Sequence, residues 1–133
     1  MHTLLEGICS HWTGSGTLSG IPGPYLGAAP QAATYPYAVM LDNGGTITET
    51  FDARTLQAVS VTFRIYHTDM DVLHQYQVAL HDRFDRGSFN LGVGIMRSAK
   101  RINSFRGIAG LDKNNKAIYV ASSLYRFTVQ DVF

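Results

Sequence analysis

Residues 59 to 66 read Val-Ser-Val-Thr-Phe-Arg-Ile-Tyr, and this segment gives the clearest indication of the fold. Its odd-numbered positions are apolar, whereas its even-numbered positions carry Ser, Thr, Arg and Tyr. A period of two is typical of a strand that buries one face. After Thr68 the apolar residues recur with the period of a helix instead. The junction therefore predicts an α+β domain in which a helix packs on a sheet.

The helix is predicted over residues 69–86, with Thr68 as its N-cap and Gly87 at its end. Asp69 and Asp71 would lie at the positive end of the helix dipole, where acidic side chains are favourable. At a rise of 1.5 Å per residue the helix is about 25 Å long, which is enough to cross a four-stranded sheet. Its predicted core stripe is Met70, Leu73, Tyr76 or Gln77, Leu80 and Phe84.

The other elements follow from the hydrophobic period and from the positions of Gly, Pro and Asn. We expect a single α+β domain over residues 1–133, with a mostly antiparallel sheet of about four to five strands packed by an N-terminal helix and the central amphipathic helix. A long Gly/Pro-rich loop at 13–36 should lie on a neighbouring subunit. A helix is predicted at 3–13, with Leu4, Ile8 and Trp12 on one stripe. Strands are predicted at 37–41, 46–51, 56–66, 91–97 and 117–129, and a loop or edge strand at 101–108. Turns are predicted at 42–45, between the first two strands, and at Asn114-Asn115.

Composition limits the classes of protein that the chain can belong to. Its 133 residues are enough for one domain with a core that needs no metal or disulfide. The single cysteine, Cys9, excludes an internal disulfide, and its apolar neighbours suggest a buried position. No run approaches the ~20 apolar residues of a membrane span, and residues 1–3 lack the features of a signal peptide. We therefore expect the chain to be made in a reducing cytoplasm.

The charges are unevenly distributed along the chain. Residues 1–71 hold six acids and two bases, whereas residues 82–116 hold eight bases and three acids. This asymmetry fits nucleic-acid affinity, a head-to-tail contact between copies, or ordinary solvated charges. Only 16% of the residues are charged, against the usual value of about 25%, which favours a surface that contacts other subunits. The candidate interface or lumen residues are Arg97, Lys100, Arg101 and Arg106.

The common signatures of catalysis are missing from the sequence. His67, His74 and His81 recur every seven residues, and two ligands about 10.5 Å apart on a helix are too distant for one ion. There is no Gly-x-Ser-x-Gly elbow and no phosphate-binding loop, and Gly92-Val93-Gly94 lacks the third glycine of a dinucleotide fingerprint. The sequence predicts that the protein is not an enzyme and uses no cofactor and no metal.

Two features of the sequence bear on nucleic-acid recognition. Phe105-Arg106-Gly107-Ile108 is similar to part of an RNA-recognition strand, but the aromatic residues that should stack bases after the Arg-Gly pair are absent. The basic residues between 97 and 106 could contact DNA in passing through non-specific phosphate interactions.

The order of the elements resembles that of the small tail-completion or tail-terminator proteins of long-tailed bacteriophages, the proteins that join head to tail. Tyr35-Pro36-Tyr37-Ala38-Val39-Met40 resembles the aromatic-Pro-Tyr start of the first strand in that family. The stretch from Val59 to Tyr66, followed by the helix at 69–84, resembles its central strand–helix unit. Tyr125-Arg126-Phe127-Thr128-Val129 resembles its closing strand. The resemblance covers most of residues 3–129.

The resemblance implies a structural protein of the phage neck. Such a protein forms a ring, typically of six copies, that caps the tail tube and offers a surface to the head connector. The implied partners are further copies of the chain, the tail tube protein and the head connector or neck proteins, without a membrane. The implied location is the tail or neck of the virion, with the host cytoplasm as the place of assembly.

Two other classes remain open. The first is a small cytoplasmic α+β binding module that dimerises through its sheet, using an exposed face with Thr62, Arg64, Tyr66, Tyr125 or Phe127. The second is an enzyme with a cleft at His74 or His81. The number of copies in solution distinguishes the module from the ring.

Overall fold

The computed structural model describes residues 8–9, 11–12, 21, 24–27, 35–49, 55–84 and 95–130. In these ranges, one sheet has the strand order β1-β2-β3-β5-β4 and packs against one long helix, α1. β1 runs parallel to β2, and the other neighbouring strands are antiparallel. The predicted α+β fold with a mostly antiparallel sheet is therefore confirmed. The bounds are β1 Tyr25–Leu26, β2 Tyr37–Glu49, β3 Thr55–His67, α1 Met70–Phe84, β4 Ile95–Leu111 and β5 Ala117–Gln130.

The strand predicted from residues 59–66 forms the centre of the sheet. β3 pairs with β2 on one side and with β5 on the other. The side chains of Val59, Val61, Phe63 and Ile65 are completely buried, as the period of two predicted. β5 continues the same buried face with Ala121, Ser123, Tyr125, Phe127 and Val129. The covered face of these two strands is therefore the core.

The turn predicted at residues 42–45 is wrong. β2 is one strand from Tyr37 to Glu49, and the register shift between Asp42 and Gly45 marks a bulge that contains Asn43 and Gly44. The partner strand β3 is long enough to pair on both sides of this bulge, so the chain gains more ladder hydrogen bonds by continuing than by turning. The connection between β2 and β3 instead lies between Glu49 and Thr55.

β4 joins two segments that were predicted to be separate. Residues 95–97 of the predicted strand at 91–97 and the predicted loop or edge strand at 101–108 form one strand from Ile95 to Leu111, and residues 91–94 lie outside the described residues. Three register shifts interrupt its pairing with β5, between Met96 and Ser98, Arg101 and Asn103, and Ile108 and Gly110. Among the described residues, β4 pairs on one side only, which makes it an edge strand. The extra residue at each shift explains why its side chains show no clean alternation.

The N-cap of α1 is one residue later than predicted. The Oδ1 atom of Asp69 accepts hydrogen bonds from the backbone nitrogens of Asp71 at 3.0 Å and Val72 at 3.3 Å. The backbone nitrogen of Leu73 donates to the carbonyl oxygen of Asp69. Asp69 is therefore the N-cap, and Thr68 precedes it. The predicted core stripe is confirmed, with Leu73, Gln77, Leu80 and Phe84 buried and Met70 and Tyr76 packed at its edge.

An aromatic cluster joins the N-terminal segment to the sheet and to α1. Ile8, Cys9, His11 and Trp12 are helical, and the rest of the predicted helix at 3–13 lies outside the described residues. The Trp12 ring lies 5.5 Å from the Phe63 ring, which lies 5.0 Å from the Phe84 ring. Ile8 and Trp12 are fully buried as predicted, whereas Cys9 is only half-buried.

The described part of the 13–36 loop packs on its own chain. Ile21 is buried in the core, and Tyr25–Leu26 pair with β2. The backbone nitrogen of Gly27 then donates to the carbonyl oxygen of Met40 at 2.9 Å. This position of Ile21 differs from the expectation that the loop lies on a neighbouring subunit, because its apolar side chain finds a core within the same chain. For the exposed Leu26 the expectation stays a prediction. The remainder of the loop lies outside the described residues.

Candidate interface surfaces

The two faces of the sheet have different environments. α1 and the helical residues near Trp12 cover one face, on which the buried side chains of β3 and β5 lie. No element of the described ranges covers the other face, which we call the open face. In the centre of the sheet, the open face carries Thr62, Arg64 and Tyr66, while Phe63 and Ile65 point to the core. Over the described ranges, none of the helical segments is long and apolar enough to cross a membrane.

The prediction of the exposed face from the sequence is partly wrong. It places Tyr125 and Phe127 on the same exposed face as Thr62, Arg64 and Tyr66, but both rings are fully buried against α1. The cause is the register of β5, in which Tyr125 pairs with Val61 and Phe127 pairs with Val59. Residues that pair across neighbouring strands lie on the same face, so both aromatic rings belong to the core.

Three tyrosines form a stack at one end of the open face. The rings of Tyr35 and Tyr37 are 5.4 Å apart, and those of Tyr37 and Tyr66 are 5.1 Å apart. Tyr37 and Tyr66 are cross-strand partners, so the sheet itself sets their spacing. Burial raises the pKa of Tyr37 above its usual value near 10, and the neighbouring Tyr35 and Tyr66 add to the effect. Tyr37 is therefore neutral at physiological pH.

A shallow depression lies between this stack and the edge of the sheet. It has a volume of about 170 Å³ and a lining that is largely polar, with one positive charge from Arg64. Phe105 forms an apolar part of its wall and is 55% exposed. Such a depression can receive a small polar group or a side chain of another protein. The lining residues are Thr62, Arg64, Asn103, Phe105, Ser122 and Leu124.

The predicted interface cations do not form one patch. Lys100 pairs with Arg126 and lies on the open face, whereas Arg106 pairs with Ala121 and contacts His74 of α1 on the covered face. Arg101 is exposed and pairs with Tyr125 in the register. Arg97 lies at the first register shift of β4, and its side chain is outside the described part of the structure. β4 therefore presents positive charge on both faces of the sheet.

All charged side chains described on the open face are positive. They are Arg64, Lys100 and Arg126, and Lys100 lies directly opposite Arg126 across the β4–β5 pair. Like charges in that position repel and destabilise the sheet by roughly 0.2–1 kcal/mol. Both side chains are exposed, so water and salt weaken the repulsion. An anionic partner on this face would relieve it further.

A row of exposed apolar side chains follows β4, and sequence reasoning missed it. Ile102, Phe105, Ile108 and Leu111 are 45%, 55%, 70% and 64% exposed. Their spacing of three was the available signal, because a period of three cannot keep apolar residues on one buried face of a strand. A long edge strand with unpaired backbone groups and exposed apolar side chains is a typical site of association between chains. This edge is the strongest candidate interface in the described structure.

The histidines occupy separate environments. His67 lies near the ring of Tyr76, at 6.5 Å between centroids, and His74 contacts Arg106. Among the residues that the structure describes, no group of three His, Cys, Asp or Glu side chains is close enough to hold a metal ion.

Comparisons with known proteins bear on the fold. No protein-family model matches the chain, and no curated protein is similar to it in sequence. Among solved structures, the chain is similar to a chain in the virion of a native gene transfer agent (GTA) particle, with a TM-score of 0.58 and 7% sequence identity. The alignment covers 96% of this chain and 91% of that chain. At this level of identity the two chains share a fold over nearly their whole length.

Proposed function

We propose that this protein is a structural component of a phage-like virion, located at the neck, where it forms a ring of six copies. The ring caps the tail tube and joins it to the head connector, without catalysis and without a cofactor. It assembles in the host cytoplasm before incorporation into the particle. The observation that carries the proposal is the similarity to a gene transfer agent virion chain over 96% of this chain, which makes the whole fold the shared unit.

The surface of the chain supports a role in assembly. The edge strand β4 exposes Ile102, Phe105, Ile108 and Leu111, which a monomer would leave in water at a cost. A ring closes through a heterologous contact, in which two different patches of each copy meet. The exposed cations Lys113 and Lys116 in the β4–β5 turn and the exposed acids Asp71 and Asp82 on α1 are two such patches. The positive open face, with Arg64, Lys100 and Arg126, is the surface that could meet passing DNA or an acidic neighbour in the particle.

The test of this proposal is the number of copies in solution. Six copies of 14.6 kDa give about 88 kDa, which we expect from light scattering on the purified protein, with ring-shaped particles in negative-stain images of the same fractions. If the purified protein is a monomer, its binding to tail tubes is measured next, and we expect it to bind the tube ends. If the protein neither forms rings nor binds tube ends, the proposed function is wrong.

The second candidate is a binding module that dimerises through its sheet. The observation in its favour is the open face, whose depression is lined by the side chains around Arg64 and Phe105. Two copies of 14.6 kDa give about 29 kDa, so a dimer is clearly distinct from a ring of six. A stable dimer that Arg64→Glu or Phe105→Asp dissociates would support the module.

A further inference from the structure

The β4–β5 hairpin extends beyond the rest of the sheet. Tyr119 is the last residue of β5 that has partners on both sides, His67 in β3 and Ile108 in β4. Beyond it, the two strands pair only with each other, up to the turn at Asp112–Lys116. We call residues 108–118 the hairpin arm. It is a two-stranded ribbon, which cannot bury an apolar face without a partner.

The turn of the arm is rigidly built. The Oδ1 atom of Asp112 accepts hydrogen bonds from the backbone nitrogens of Asn114 and Lys116, both at 2.8 Å. Asn115 has a φ of 60°, in the left-handed region that asparagine tolerates well. The Asp112 carboxylate is thus engaged within the turn, whereas Lys113 and Lys116 are exposed. The arm therefore holds two cations next to two exposed apolar side chains, Ile108 and Leu111.

The outer side of α1 shows the opposite charge around an apolar centre. Asp71, Gln75, Val78 and Asp82 follow a spacing of four, three and four residues, which places them on one stripe of the helix. All four are exposed, and Val78 is 46% exposed. Between Asp71 and Asp82 the stripe is about 16 Å long. Its described residues carry two acids and no base.

These two surfaces do not meet within one chain. Ile108 and Leu111 remain 70% and 64% exposed even though they lie on the same side of the sheet as α1. Val78 is likewise left open on the far side of the helix. Every copy thus carries one arm and one stripe with exposed apolar side chains. Head-to-tail association of identical chains would satisfy both surfaces at once.

We propose that the hairpin arm of one copy docks on the outer stripe of α1 of the next copy. Ile108 and Leu111 cover Val78, and Lys113 and Lys116 face the carboxylates of Asp71 and Asp82. The proposal rests on the proposed ring, for which it names the contact between subunits. Charge complementarity sets the orientation of the two chains, and the apolar contact supplies the favourable burial.

Charge reversal tests the pairing. The arm variant Lys113→Glu/Lys116→Glu and the helix variant Asp71→Lys/Asp82→Lys should each fall from the mass of the wild-type assembly to 14.6 kDa. A 1:1 mixture of the two variants should recover the assembly, because each arm then meets a stripe of opposite charge. Leu26→Ser, which alters an exposed apolar residue of β1, is the matched control and should assemble normally. Circular dichroism checks that every variant is folded.

Disulfide trapping separates this contact from the ring itself. In a Cys9→Ser background, chains with Leu111→Cys are mixed with chains with Val78→Cys and oxidised. A covalent dimer in at least tenfold excess over the Leu26→Cys and Val78→Cys pair is expected. If a ring of about 88 kDa forms without this cross-link, the proposed docking of the arm on α1 is wrong, but the proposed function is not contradicted. A cross-linked assembly that is not a closed ring supports the docking and contradicts the ring. A wild type that stays monomeric without cross-linking overturns the docking, and binding to tube ends then decides the proposed function.

Discussion

His11 and Arg83 exchange two hydrogen bonds between the N-terminal helical segment and the end of α1. The Nε atom of Arg83 donates to the carbonyl oxygen of His11, and the Nε2 atom of His11 donates to the carbonyl oxygen of Arg83, both at 2.9 Å. The His11 ring also packs edge-on against Phe84 at 5.1 Å. Seventy-two residues separate the two partners, so this contact fixes the N-terminal segment over the aromatic core.

Replacing Arg83 should weaken this attachment. Arg83→Met keeps the aliphatic part of the side chain and removes the donor to His11, and we expect the free energy of unfolding to fall by about 1 kcal/mol. Urea denaturation followed by tryptophan fluorescence measures the change, because Trp12 lies in the attached segment. Leu26→Ser, at an exposed position of β1 outside this contact, should change stability by less than about 0.5 kcal/mol. Equal effects of the two substitutions would contradict the role of Arg83.

The same contact predicts a pH dependence. Burial lowers the pKa of His11 below its usual value of 6.5, the hydrogen bond to Arg83 partly offsets this, and the charge of Arg83 lowers it further. The unfolded chain then binds the proton more readily than the folded chain, so stability falls as pH decreases from 6.5 through the folded pKa. The stability advantage of wild type over His11→Gln should be larger at pH 8 than at pH 5. Urea midpoints at the two pH values measure it, and a pH-independent advantage would refute the linkage.

The two candidate N-caps of α1 can be compared directly. Asp69→Ala removes the acceptor for two backbone nitrogens, at Asp71 and Val72, and should cost about 1 kcal/mol. Thr68→Ala removes no helix cap and should cost less than about 0.5 kcal/mol. Thermal unfolding of the two variants decides between the cap that the structure shows and the one that the sequence predicted. A larger loss for Thr68→Ala would contradict the structure at this position.

The core should be far more sensitive than the edge strand to loss of an aromatic ring. Phe63 is fully buried and contacts the rings of Trp12, Phe84 and Tyr125. Phe63→Ala should therefore lower the free energy of unfolding by about 3–5 kcal/mol. Phe105→Ala, at a position that is 55% exposed, should cost less than about 1 kcal/mol. Denaturant curves measure both, and similar losses would mean that Phe105 is buried in solution by another copy.

Lys100 offers a test of the candidate interface residues. Lys100→Glu replaces a repulsive pair with Arg126 by an attractive one and should stabilise the folded monomer by about 0.2–1 kcal/mol. If the positive open face contacts an acidic partner or DNA, the same variant should bind that partner more weakly. Thermal unfolding and salt-dependent binding to a DNA duplex separate the two effects. Lys100→Gln is the matched control for loss of charge without reversal.

The local hydrophobic pattern was sufficient to predict the centre of the fold. β3 and the core stripe of α1 were predictable because each combines a clear hydrophobic period with a length typical of its element. The period also identified Ile8 and Trp12 as core residues, although their contact with Phe63 joins distant parts of the chain. These features depend mainly on neighbours in sequence, which a single sequence contains.

The candidate interface on β4 was harder to predict from the sequence. The sequence singled out Arg97, Lys100, Arg101 and Arg106 as one basic group, but the register shifts of β4 distribute Lys100 and Arg106 over opposite faces. A shift of one residue reverses the face of every following side chain, and a bulge leaves no clear mark in composition.

The sequence alone was sufficient to predict an α+β chain with a central strand–helix unit, and it shows a low fraction of charged residues and an uneven distribution of charge. The bulge at Asn43-Gly44 and the single edge strand at 95–111 appear only in the folded chain. The folded chain also places Tyr125 and Phe127 in the core and residues 108–118 in a projecting arm. The physical reason is that strand pairing is non-local: the free energy of a ladder depends on the length and register of its partner strand, which no local pattern specifies.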